Sequence, residues 1–107
     1  MKYTSLLRAF SLTAVFAVTA SAGAAEGKAL YASKCAACHG PAGEGKDAIA
    51  KMFKVTLQHL GSKEIQAKAD ADMKKAITAG QGKMKPVAGL SDAQIADVIA
   101  HVRTLKK

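Results

Sequence analysis

Cysteine is nearly absent from these 107 residues: the chain has two, Cys35 and Cys38. A disulfide between residues so close in sequence closes too small a loop to restrain the unfolded chain much. Two thiolates alone do not complete a four-ligand structural zinc site, and His39, His59 and His101 form no closely spaced pair to supply the rest. Aromatic residues make up only 5% of the chain and do not interleave with its lysines. A dedicated nucleic-acid surface, which needs stacking rings among clustered arginines, is therefore excluded. No stretch sustains the two-residue alternation of a half-buried strand, and no internal repeat is present. Long apolar runs are also missing: the uncharged residues 9–25 are too few, and too rich in Ala, Ser, Thr and Gly, to hold a membrane span.

What is present starts with a leader. Lys2 and Arg8 give a basic opening, residues 9–20 are almost free of strong polarity, and Ala22-Gly23-Ala24 has the small-x-small pattern of a processing site. The expectation is a secretory signal over residues 1–24, cleaved before Ala25, and a single small domain over residues 25–107. Export places the mature chain in the periplasm as a soluble protein without stable membrane insertion. The formal net charge of the whole chain is +8, and loss of Lys2 and Arg8 with the leader lowers it to +6. A surplus of lysines spread along the surface keeps a protein soluble and steers it toward acidic partners.

Helix-forming residues dominate the mature part. Residues 26–37 carry no breaker after Gly27, with Leu30 and Tyr31 on the face of the cysteine cluster. Asp47 is expected to cap a short helix through Phe53, and Asp70 to cap another that ends at Gly80. Residues 54–62 are irregular and residues 63–69 suggest a helical turn. Ser91 and Gln94 form a capping box ahead of a last helix whose apolar stripe is Ile95, Val98, Ile99, Val102 and Leu105. Three to five helices result, joined by glycine-rich loops at residues 40–46 and 80–90. So short a chain has too little side-chain core of its own and needs some further object to fill it.

The chemical residues sit beside those loops. In CAACHG the two thiols are followed directly by His39. Disulfide, zinc, redox dithiol and covalent haem all use such clusters. A redox dithiol belongs at a helix start after a strand, whereas here a helix precedes the cysteines. Cys-x-x-Cys-His fits haem attachment best: two thioethers at the spacing of the porphyrin vinyl groups, with the adjacent imidazole ligating the iron. For the sixth position, Met73 falls on a stripe with Ala76 and Ile77, and Met52 neighbours Phe53 at a helix end, so packing accounts for both. Met84 lies in the loop sequence GKMKP, where a thioether makes sense as an iron ligand. His59, in an irregular stretch, is the competing donor. His101, one turn after Asp97, reads as a partly exposed histidine paired with that acid.

CAACHG, the loop GQGKMKP and the closing LSDAQIADVIAHVRTL together resemble the small bacterial class I c-type cytochromes, over residues 26–105. The resemblance implies an all-α fold wrapped around one covalently bound haem c. Its first and last helices would cross where Leu30 and Tyr31 meet Ile95 to Val102. It carries over Cys35 and Cys38 as thioether residues, His39 as proximal ligand and Met84 as distal ligand. With both axial positions filled, the implied function is one-electron transport rather than catalysis, by a monomer that meets acidic redox proteins transiently. A haem peroxidase, a gas-binding haem protein with an open distal site, and a cytochrome subunit of a larger redox enzyme are the alternatives. Two departures from the family pattern stand out. Lys85 separates Met84 from Pro86, and residues 43–55 contain no Gly-Pro pair to supply a carbonyl for His39.

Overall fold

A computed structural model describes residues 23–107. The expected leader lies outside the described residues as far as residue 22, and the expected cleavage point falls within the first turn of the first helix. The described residues form six helices: α1 (Gly23–Lys34), α2 (Ala36–His39), α3 (Asp47–Phe53), α4 (Lys63–Gln66), α5 (Asp70–Ala79) and α6 (Asp92–Thr104). No strand occurs among them. A lone antiparallel bridge joins Gln81 to Met84.

The count exceeds expectation because the first helix breaks at the cysteines. Cys35, at φ −120°, leaves helical geometry between α1 and α2. Its N–H still bonds back to the Tyr31 carbonyl at 2.8 Å and its own carbonyl accepts from the His39 N–H at 3.0 Å, so the hydrogen-bond ladder runs on across a one-residue fault. Asp47 and Asp70 do not cap. Lys46 and Ala69 hold the cap positions, and the two aspartates occupy the first helical positions, where their charge favours the positive end of the helix dipole. The capping box of α6 forms as expected, with the Gln94 N–H donating to Ser91 Oγ at 3.1 Å and the Ser91 N–H donating to Gln94 Oε1 at 2.8 Å.

α1 and α6 cross to make the core, at the positions the family resemblance implies. Tyr31 on α1 is buried against Ile95, Val98, Ile99 and Val102 on α6, with Met73 and Ile77 of α5 completing the cluster. Gly27 permits the crossing: a Cβ there would lie 1.8 Å from the Asp97 carbonyl oxygen, so no side chain fits between the two backbones. His101 corrects its expectation. Only 7% exposed, it packs on Tyr31 with ring centroids 5.0 Å apart, while the Asp97 carboxylate accepts a bond from the Gly23 N–H at 2.9 Å. Position 101 follows Val98 by three, so α6 buries a wider stripe than its aliphatic residues mark. Met52 departs as well. It is 68% exposed, because the seven-residue α3 buries none of its side chains and stops at Lys54 in the left-handed conformation, φ 54°.

Candidate haem cavity

α1 and α2 bring the chemical residues of the CAACHG stretch to the wall of the core. The fault at Cys35 turns its sulfur inward, half-buried, whereas Cys38 stays exposed at the surface. The loop after His39 folds back over this turn: Gly45 N–H bonds the His39 carbonyl at 2.7 Å and Lys46 N–H bonds the Cys38 carbonyl at 3.0 Å. Tyr31 ties the same corner to α1, its hydroxyl donating to the Gly40 carbonyl at 2.6 Å inside the core. Burial foremost, then the charges of Cys35 and Glu44, push the Tyr31 hydroxyl up to about 12, so it stays a donor.

Across from this turn the second loop returns. Gln81 and Met84 exchange backbone bonds of 3.0 and 2.9 Å, closing a tight turn with Gly82 at φ 56°. Gly80 lies beneath it at φ 79°, where a Cβ would strike the Met84 carbonyl oxygen at 2.6 Å. The Val87 N–H then bonds the Ile77 carbonyl at 2.8 Å, anchoring the loop to α5. Half-buried Met84 packs on the core cluster, and Lys83 and Lys85 on either side of it are exposed. Lys85 before Pro86 therefore does not keep Met84 from facing inward.

Between the CAACHG turn and the Met84 loop lies a cavity of about 500 Å³, the size range of cofactor sites. Cys35, His39 and Met84 all line it, on walls formed by Leu57, Leu60, Ile65, Met73, Ile77, Val98, Ile99 and Val102. The core is thus hollow, since the residues that form it also face the void. His59 is not on this wall; its Nδ1 accepts the Gly61 N–H at 2.8 Å in a local turn. The cavity also takes in Gln81 of the GQGKMKP loop, and Thr56, Gln58, Lys68 and Asp72, which no periodicity or motif marked.

The electrostatics suit an uncharged ligand set. Burial lowers the pKa of His39, so its imidazole is neutral near pH 7. Burial and then Cys38 raise the Cys35 thiol, the reverse of what a reactive redox dithiol needs. His39 Nδ1 is the buried side-chain polar atom left without a partner among the described residues. This matches the lack of a proline among residues 43–55. No three His, Cys, Asp or Glu side chains among the described residues converge to hold a bare metal ion.

The chain matches the family model described as cytochrome c over residues 24–106. It belongs to the cytochrome c family. Cytochrome c-554(547) of Halothiobacillus neapolitanus is 33% identical over 88 residues, covering 78% of this chain and 97% of its own. Among solved structures, the KustC0563 c-type cytochrome superposes with a TM-score of 0.65 at 26% identity, covering 76% of this chain and 98% of that one. A cytochrome c carries a covalent haem, and Cys35 and Cys38 have the attachment spacing of that family. The cavity fits such a group in volume, apolar lining and neutral nitrogen donor. No helix among the described residues is long and apolar enough to cross a membrane.

Proposed function

We propose that this chain is a soluble periplasmic one-electron carrier, not an enzyme, with one haem c held through Cys35 and Cys38 and ligated by His39 and Met84. The observation that carries this reading is that Met84, 45 residues away in sequence, lines the same cavity as Cys35 and His39 of the CAACHG stretch. The haem iron supplies the one-electron couple. His39, neutral through burial, presents a nitrogen lone pair, and the Met84 thioether is a weak donor that favours the reduced state relative to a second imidazole. Ile77, Val98, Ile99 and Val102 exclude water, and a low-dielectric wall works in the same direction by opposing added positive charge. Lys83 and Lys85, exposed and without ion pairs among the described residues, flank the Met84 turn and give an acidic redox partner a docking face.

The optical spectrum of the protein matured with haem-attachment machinery tests the reading. A red protein with six-coordinate, low-spin bands and the weak long-wavelength sulfur-to-iron band supports it. Replacing Met84 by Ala removes that band, lowers the midpoint potential and opens the iron to carbon monoxide or cyanide. Retention of the band in Met84→Ala assigns the sixth position to another donor.

A further inference from the structure

Lys68 and Asp72 are the only side chains of the cavity wall with a full charge at neutral pH. The other titratable groups there are Tyr31, Cys35 and His39, all held neutral by burial, and Thr56, Gln58 and Gln81 are polar but uncharged. The stretches contributed by α6 and by residues 80–90 bring no charge to the wall. A porphyrin of the c type carries two propionate carboxylates, and a carboxylate drawn toward an apolar cavity is costly without a cation or donors. Lys68 is exposed and makes no ion pair among the described residues. Its backbone is nonetheless fastened. Arg103 on α6 donates to the Gln66 carbonyl at 2.8 Å, the Lys68 carbonyl at 2.6 Å and Asp70 Oδ1 at 2.7 Å. Gln66 Nε2 in turn donates to the carbonyls of Leu60 at 2.8 Å and Val102 at 3.0 Å. Five bonds thus hold the corner between α4 and α5 and fix the backbone from which Lys68 joins the cavity wall.

We propose that Lys68 is the cationic partner of a haem propionate, with Arg103 and Gln66 as the residues that position it and Asp72 as the opposing charge that tunes it. This rests on the haem reading above. Lys83 and Lys85 do not line the cavity, so the anchor and the docking face are separate sets of lysines. Two measurements on the haem-loaded protein test it. First, Lys68→Gln lowers the midpoint potential at both low and high salt, because a direct pair is little screened, whereas Lys68→Arg keeps it near wild type. Lys75→Gln, at an exposed α5 residue off the cavity wall, is the control, and its smaller shift fades with salt. Second, acylation followed by mass spectrometry modifies Lys68 on the order of tenfold more slowly than Lys75, since a paired ammonium reacts poorly. A Lys68→Gln shift no larger than that of Lys75→Gln, or equal acylation rates at the two lysines, overturns the proposal and leaves the carrier reading standing. A protein that matures without haem overturns both.

Discussion

Protonating His101 puts a charge into the crossing of the first and last helices, against the Tyr31 ring and within reach of the Lys28 field. Burial first, and Lys28 second, lower its pKa from 6.5. The sign follows from linkage: the unfolded chain binds a proton at about pH 6.5 that the folded chain refuses until lower pH. Stability from this source is complete above that value and falls as the pH drops toward the lowered folded pKa. Denaturant midpoints of the wild type therefore decline more steeply between neutral pH and about pH 5 than those of His101→Gln. Parallel profiles would remove His101 from the pH response. At this scale the haem-attachment motif was legible because its chemistry is local: two thiols and an imidazole within five positions. His101 was not, because its nearest acid in sequence is occupied by the Gly23 N–H, and its true neighbour lies on another helix. Lys68 reads in sequence as one more solvated lysine, and only its place on the cavity wall and the Arg103 bond to its carbonyl set it apart.

The helix crossing rests on backbone meeting backbone. An added methyl at Gly27 would lie 1.8 Å from the Asp97 carbonyl oxygen and 2.4 Å from its carbon, and neither can swing aside as a side-chain tip could. Gly27→Ala must separate α1 from α6 and loosen the contacts of Tyr31 with Val98. The expected loss is roughly 1–3 kcal/mol, read from the denaturant midpoint of the haem-loaded protein. An unchanged midpoint would mean that the helices part without loss. Element boundaries were legible where side chains cap them, as with Ser91 and Gln94. They were missed at Asp47 and Asp70, where helices begin one residue earlier in the chain's accounting of hydrogen bonds and the aspartates act by charge instead. The fault at Cys35 left no mark in the residue pattern, because Lys34 before it and Ala36 after it are both good helix formers.

At the scale of the described residues, α1, α5 and α6 with the loop around Met84 border a space that their side chains do not fill. The net positive charge of the sequence becomes a directed field only if lysines gather near the place where electrons leave. Lys83 and Lys85 bracket the Met84 turn, so reversing both to Glu slows electron transfer to an acidic partner, most at low ionic strength. Stopped-flow rates across a salt series check this. Rates and salt slope equal to wild type would move the docking face elsewhere.

Helical class and the haem-attachment motif were readable along the chain, since periodicity, capping and cysteine spacing are properties of neighbours a few residues apart. The cavity and its rim were not. They arise where α1, α5, α6 and two loops stand at distances set by Gly27, Gly80 and the Arg103 bonds, and contacts between residues 35 apart leave no period in the sequence.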